Sequence, residues 1–125
     1  MEEISVRGTA WKDHDFSKYD VVLHVAGIAH VEEKHIDSEH YETVNCKLAA
    51  DIASKAKVEG IQHFVFISSM SVYGLANGII TEETKPNPKS LYGKSKLHAD
   101  RLIFQLIDKN FKVAILRPPM IYGPN

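Results

Sequence analysis

The chain has 125 residues, of which 44% are hydrophobic and 25% are charged, with a net charge of −1 at neutral pH. This length and composition are typical of one globular domain with a single core. The balanced charge provides no basic surface for nucleic acid and excludes that class of partner. The acidic start Met1-Glu2-Glu3, and the lack of an apolar run near ~18 residues, predict neither a signal peptide nor a membrane span.

The cysteine and histidine content argues against disulfide and metal chemistry. Cys46 is the single cysteine, which excludes an internal disulfide and favours a reducing, cytoplasmic environment. It lies in a helical pattern, where a small buried thiol is expected rather than a reactive one. His30, His35 and His40 are separated by steps of five residues, which place them on diverging helix faces, so we predict no metal site there.

Strand and helix signals alternate along the chain, as they do in a parallel α/β sheet. The predicted elements, in chain order, are a strand at 21–27, a helix at 37–57, a strand at 64–69, a loop at 70–90, a helix at 90–110 and a strand at 112–117. Asp37 is the expected N-cap of the first helix. The loop is rich in Gly, Asn, Pro and Thr, and loops of this length in compact domains are often functional.

Right-handed crossovers would place the three strands side by side, with their carboxyl ends at one edge of the sheet. Gly27, Ser69 and Pro118 all fall at that edge. Open α/β sheets bind their ligands there, so we expect these residues, with the helix that follows Ser90, to form one crevice.

Tyr92 and Lys96 lie one helical turn apart, so their side chains are expected on the same face of that helix. With the Ser69 hydroxyl they provide the groups of a proton-transfer site beside a nicotinamide, although a Tyr and a Lys four residues apart also occur by chance on solvated helices. A free tyrosine titrates near pH ~10, so a base at neutral pH needs its phenolate stabilised by about 4 kcal/mol. The lysine cation supplies part of this, and the positive ring of an oxidised nicotinamide supplies more.

Several sequence blocks occur in the order and spacing of a known family. They are Val22–Gly27, Val44-Asn45, Ser68–Gly74, Tyr92–Lys96, Leu116–Pro119 and Tyr122–Pro124. With this ordered set the chain resembles the extended short-chain dehydrogenase/reductase family, in its NAD-dependent epimerase/dehydratase branch of the UDP-glucose 4-epimerase type. The resemblance extends from about Ser5 to Asn125.

The resemblance implies an α/β fold that is a partial Rossmann-type doubly wound parallel sheet. We expect residues 1–125 to be a single incomplete NAD(P)-binding domain that lacks the first two βα units and the C-terminal substrate domain. No Gly-x-Gly-x-x-Gly occurs among the seven glycines. Met1–Val6 reads like the third strand of the family. The family's first strand would pair beside residues 21–27, so that edge is expected to be unpaired here.

The resemblance also implies the site residues. We expect Ser69, Tyr92 and Lys96 to be catalytic, and the sequence predicts no metal ligands. The expected NAD-binding residues are Val25, Ala26, Gly27, Asn45, Ser68, Tyr92, Lys96 and Pro119. The small size of Ala26 and Gly27 is also explained by close helix–strand packing, and both interpretations are kept. Asn45 lies in an otherwise apolar helix face, and a buried amide needs hydrogen-bond partners.

The implied function is that of a nucleotide-sugar epimerase, which transiently oxidises a sugar hydroxyl with NAD and reduces the keto sugar again. Dehydratases of the family carry Asp-Glu directly after the serine or threonine, where this chain has Met70 and Ser71, so dehydration is disfavoured. Ala29 and Met120 replace a lysine and an asparagine of the family epimerases, which weakens the expectation of a UDP-sugar substrate.

Two alternatives remain: an NAD(P)-dependent sugar-nucleotide or carbonyl reductase of the same family, and a non-catalytic binding module. The expected partner of the full-length protein is a nucleotide sugar, and the expected assembly is a homodimer. For the fragment alone we expect no activity, weak or no NAD binding, and self-association along its unpaired strand edge.

Overall fold

The computed structural model describes residues 1–28 and 38–119. One parallel sheet contains three strands in the order β1-β2-β3, namely β1 Val21–His24, β2 His63–Ile67 and β3 Lys112–Leu116. Val21 pairs with His63, and His63 with Lys112, so the strands start in register. Their carboxyl ends therefore lie at one edge, which confirms the predicted α/β architecture and the shared edge.

The helices follow the predicted order, with differences at their ends. They are α1 Ser38–Tyr41, a π-helical turn Glu42–Lys47, α2 Leu48–Val58 and α3 Leu91–Phe104, and two short 3-10 turns occur at Ala10–Lys12 and Met70–Tyr73. The predicted N-cap Asp37 lies outside the described residues. None of the helices described has the length and apolarity needed to cross a bilayer.

Helix α3 ends at Phe104, although the helical spacing of the sequence predicts that it continues to Asn110. The reason lies in the following turn, where the Asp108 carboxylate accepts hydrogen bonds from the backbone N–H groups of Asn110 and Phe111, both at 2.8 Å. An aspartate that bonds to its own following backbone competes with the helix. This turn directs the chain into β3.

The three strands end earlier than predicted. The segments that follow β1 and β2 form hydrogen bonds outside the sheet. β1 ends at His24 rather than Gly27, and Ile28 bonds instead to the side chain of Asn45. After β2, the Ser68 N–H still donates to the Leu116 carbonyl at 2.7 Å, whereas the next residue, Ser69, begins the 3-10 turn.

The expectation that Met1–Val6 forms a strand is wrong, since these residues have no strand conformation. Ile4 and Val6 pack instead against the hydrophobic core. That packing buries their apolar surface without requiring a partner strand. Within the described part of the chain, β1 pairs only with β2, as expected for an unpaired edge.

The core lies between one face of the sheet and the helices. Phe64 and Phe66 of β2 are fully buried there against Ala and Ile side chains of α2 and α3. On the opposite face Val21, Leu23 and Leu116 are about half exposed. Parallel sheets usually bury both faces, so the described helices cover only half of this sheet.

The first turn of α3 lies very close to the 3-10 turn at Met70–Tyr73. A Cβ at Gly93 would be 2.5 Å from the carbonyl oxygen of Ser71 and 3.2 Å from Cβ of Pro88. Only glycine permits this approach, which brings the start of α3 to the carboxyl end of β2.

We predict that Gly93→Ala lowers the free energy of unfolding by about 1–3 kcal/mol, because the new methyl group overpacks a tight backbone contact. Urea denaturation measures the effect. Lys94→Ala is the matched control at the next, exposed position and should change stability by less than about 0.5 kcal/mol. Equal unfolding midpoints for the two variants would contradict the close approach.

Candidate functional site

Ser69 and Tyr92 meet at the carboxyl end of the sheet. Ser69 caps the 3-10 turn, with its Oγ accepting from the Ser71 N–H at 3.1 Å. Ser90 caps α3 by accepting from the Gly93 N–H at 3.0 Å, which fixes the first turn of the helix. The Ser69 hydroxyl lies close enough to the Tyr92 phenol to lower its pKa, so two predicted catalytic groups lie together.

The Tyr92 phenol is not acidified by the residues around it. Burial raises the pKa of Tyr92, and the nearby Ser69 hydroxyl lowers it by less. The Tyr92 ring packs edge-on against Tyr41, with ring centroids 6.3 Å apart. A phenolate at neutral pH therefore needs positive charge in addition to what these neighbours provide.

Lys96 lies on the same face of α3 as Tyr92, as predicted, with its Nζ 6.0 Å from the centroid of the Tyr92 ring. Only 3% of Lys96 is exposed. Its Nζ donates a hydrogen bond to the Ile67 carbonyl at 2.9 Å and lies 4.9 Å from the centroid of the Phe66 ring. Burial lowers the pKa of Lys96, and the Asp100 carboxylate opposes this shift.

Asn45 is fully buried on the π-helical turn and its amide has the partners that the sequence requires. Its Oδ1 accepts from the Ile28 N–H at 2.7 Å, and its Nδ2 donates to the Ile28 carbonyl at 3.0 Å and to Ser95 Oγ at 3.2 Å. One side chain thus joins the chain after β1 to α3. π-Helical turns are frequent at functional sites.

Gly27 lies between Asn45 and Lys96. A Cβ at this position would be 3.1 Å from both Asn45 Oδ1 and Lys96 Nζ. Close packing therefore accounts for at least part of the requirement for a small residue here, as the alternative interpretation of the sequence proposed. The neighbouring Val25 is 62% exposed at the end of β1, and Ala26 is partly buried.

A buried ionic network behind the site was not predicted from the sequence. Arg117 donates to Asp100 Oδ2 from Nε at 3.0 Å and from Nη2 at 2.9 Å, and from Nη1 to the Tyr73 hydroxyl at 2.8 Å. Burial raises the pKa of Asp100, and Ser68 and Arg117 oppose this. Ser68 is 3% exposed, and within the described part of the chain its Oγ and the Asp100 Oδ1 have no hydrogen-bond partner. The sequence does contain one signal of this network, since Asp100 is an acidic residue one helical turn after Lys96.

His24 is a second residue that sequence analysis missed. It ends β1, is 4% exposed, and stacks on Phe64 and Phe66 with centroid distances of 6.3 and 5.8 Å. Burial, together with the charge of Lys96, lowers the pKa of His24 to about 4. The imidazole is therefore neutral at physiological pH.

The structure thus brings together Gly27, Asn45, Ser69, Tyr92 and Lys96. Pro119, the last described residue, is exposed and follows β3 at the same edge. Several residues considered in the sequence lie outside the described part of the chain, namely Ala29, His30, His35, Met120 and Tyr122–Pro124.

Comparison with known proteins identifies the family of the chain. Residues 5–125 match the NAD dependent epimerase/dehydratase family. The chain belongs to that family. It is 34% identical over 110 residues to the UDP-glucose 4-epimerase of Vibrio cholerae, an alignment that covers 83% of this chain and 34% of the relative.

Solved structures of the same type superpose on most of the chain. A UDP-glucuronic acid 4-epimerase from Bacillus cereus in complex with NAD matches 90% of this chain and 38% of its own, with a TM-score of 0.76 and 30% identity. RMD from Pseudomonas aeruginosa, complexed with NADPH, matches 80% of this chain and 35% of its own, with a TM-score of 0.71 and 32% identity. The chain spans about a third of the length of these relatives.

We predict that Asn45→Ala releases the chain after β1, because both polar groups of Ile28 lose their partner. Stability should fall by about 2–3 kcal/mol, since buried polar groups are left unpaired. Hydrogen–deuterium exchange should show faster exchange of the Ile28 amide. Ser95→Ala removes another partner of Asn45 but keeps both bonds to Ile28, so the Ile28 amide should stay protected. Similar Ile28 exchange in the two variants would refute this role of Asn45.

The buried His24 predicts a loss of stability in mild acid. Its pKa is 6.5 when unfolded and about 4 when folded, so the unfolded state binds the extra proton between these values. Stability contributed by the neutral imidazole should fall by about 3 kcal/mol as the pH drops from 6.5 to 4.

Chemical denaturation across this pH range tests the His24 prediction. His24→Phe should flatten the pH dependence, whereas His63→Phe, which changes an exposed histidine on β2, should leave it unchanged. The carboxylates of the protein contribute equally to all three chains, so the difference between the curves isolates His24. Parallel curves for the wild type and His24→Phe would show that His24 is not the responsible group.

Proposed function

We propose that this chain is part of a nucleotide-sugar epimerase of the UDP-glucose 4-epimerase type. The observation that carries the proposal is the contact between the Ser69 hydroxyl and the Tyr92 phenol, with Lys96 one turn further along α3. Family membership supports it, as does the similarity to two 4-epimerases of nucleotide sugars.

In this proposal Tyr92 accepts the proton of a sugar hydroxyl, and Ser69 donates a hydrogen bond to the same sugar oxygen. A bound NAD would supply hydride chemistry here, removing hydride from the sugar carbon that bears this oxygen and returning it to the opposite face of the keto sugar. Lys96 holds positive charge near the phenolate, where such charge is most effective because water is excluded. The proton on Tyr92 returns to the sugar oxygen, so both proton and hydride are regained.

The residues at the sheet edge suit a dinucleotide, because the exposed Val25 and the small Ala26 and Gly27 leave the edge of β1 accessible. Asn45 acts by holding Ile28 in place, and Ser68 lies directly after β2 at the same edge. Pro119, which follows β3, is proposed as a further cofactor-binding residue. Since the sequence contains no glycine-rich turn, the 125-residue chain by itself is proposed to bind NAD weakly and to be inactive.

Dehydration is disfavoured by the residues after Ser69. Met70 is a partly exposed thioether side chain, and the Ser71 hydroxyl accepts a hydrogen bond from Ser69 at 3.1 Å. Neither group supplies the acid and base that elimination of water requires. The proposal further includes a homodimer of the complete protein in the cytoplasm, and self-association of the chain alone through the unpaired edge of β1.

An NAD(P)-dependent reductase is the second candidate, because a structurally similar protein is complexed with NADPH. The same Ser69, Tyr92 and Lys96 would then donate a proton to a carbonyl while the nicotinamide supplies hydride. The two reactions differ in cofactor balance, since an epimerase regenerates its cofactor and a reductase consumes it.

The test uses the protein encoded by the whole reading frame that contains these residues. UDP-glucose deuterated at C4 should give UDP-galactose that keeps the label, seen by NMR, without net change in NAD absorbance. Tyr92→Phe should lower kcat about 10²–10⁴-fold, because the proton acceptor is lost. Tyr19→Phe removes a hydroxyl that bonds to Glu2 far from the site and should not change kcat.

Two results would overturn the epimerase proposal. Stoichiometric consumption of NADPH with a keto sugar or another carbonyl substrate would identify a reductase. Absence of turnover and of cofactor binding in the whole protein would identify a non-catalytic binding module.

A further inference from the structure

A second cluster of reactive side chains lies between the π-helical turn and α3. Glu42 and Cys46 lie one turn apart on the π-helical turn, and His98 faces them from α3. The carboxylate oxygen, thiol sulfur and imidazole nitrogen all lie within 4.8 Å of one another. His98 Nδ1 and Glu42 Oε1 are 2.5 Å apart.

We propose that Glu42, Cys46 and His98 form a zinc-binding site. Sulfur, imidazole nitrogen and carboxylate oxygen are the three donor types that Zn²⁺ takes in proteins. Ca²⁺ and Mg²⁺ prefer oxygen donors throughout, so a thiol and an imidazole favour zinc over these ions. The sequence did not indicate the site, because His98 is far from the other two residues along the chain.

The distances fit a site that closes on the metal. Zinc bonds of about 2.0–2.3 Å place tetrahedral ligand atoms roughly 3.3–3.8 Å apart. The widest separation in the cluster must therefore shrink by about 1 Å, and the Glu42–His98 contact must open by a similar amount. Rotation of two long side chains achieves this without moving either helix.

Burial and access are also suitable. Cys46 is fully buried, whereas the side chains of Glu42 and His98 are 32% and 52% exposed. An ion can thus enter from the solvent side, and water can take the fourth position. Zinc binds the thiolate, so the thiol proton is released to solvent on binding.

The zinc site is separate from the proton-transfer site. His98 lies two residues after Lys96, which places it about 200° around the axis of α3. Bound zinc would fasten the turn that carries Asn45 to the helix that carries Tyr92 and Lys96. Its role is structural, and the inference does not depend on the proposed epimerase reaction.

Cobalt(II) titration of the metal-free protein, produced from the whole reading frame that contains these residues, tests the inference, with a thiol-free reductant present. We expect one equivalent to give a thiolate-to-cobalt charge-transfer band and intense tetrahedral d–d bands, and one equivalent of Zn²⁺ to remove both. Zn²⁺ should also raise the melting temperature, and a chelator should reverse this rise.

Substitutions distinguish metal binding at this site from metal binding by other histidines. Cys46→Ser should abolish the charge-transfer band. His98→Gln, at an exposed position, should weaken cobalt binding at least about tenfold, and His63→Gln, the matched control on β2, should not change it. Cobalt binding without the charge-transfer band, or with affinity unaffected by His98→Gln, would overturn the inference, as would no binding at all.

Discussion

The hydrogen bond from the buried Lys96 ammonium to the Ile67 carbonyl is the interaction on which the site depends. It fixes α3 to the carboxyl end of the central strand, and Gly27 leaves room for the ammonium group, since a Cβ there would be 3.1 Å from Lys96 Nζ. A charged group with 3% exposure is costly to bury unless it is bonded and balanced. Here the carbonyl supplies the bond and Asp100 supplies the opposite charge.

Asp100 extends this interaction to the next strand. Its carboxylate lies one turn after Lys96 and receives two hydrogen bonds from Arg117, which follows β3. Tyr73, from the 3-10 turn, completes the network through its hydroxyl. Residues from β2, β3, α3 and the intervening turn are therefore held by one set of charges.

One face of the sheet is not covered by the described helices. Val21, Leu23 and Leu116 leave apolar surface exposed on the side opposite the helices, and β1 has an edge without a described partner. Parallel strands are stable when both faces are covered. The chain spans about a third of the length of its relatives. Substrate and cofactor binding are therefore properties proposed for the complete protein.

The sequence by itself determined the three strands, the parallel order and the shared face of Tyr92 and Lys96, because periodicity and one-turn spacing are local properties. It did not reveal the end of α3, the failure of Met1–Val6 to form a strand, or the network of Asp100 with Arg117. The end of α3 follows from the local turn at Asp108, whereas the network and the packing of Met1–Val6 depend on residues distant in the chain, so tertiary structure decided them. The raised pKa of Tyr92 has the same origin, because burial is a property of the packed molecule.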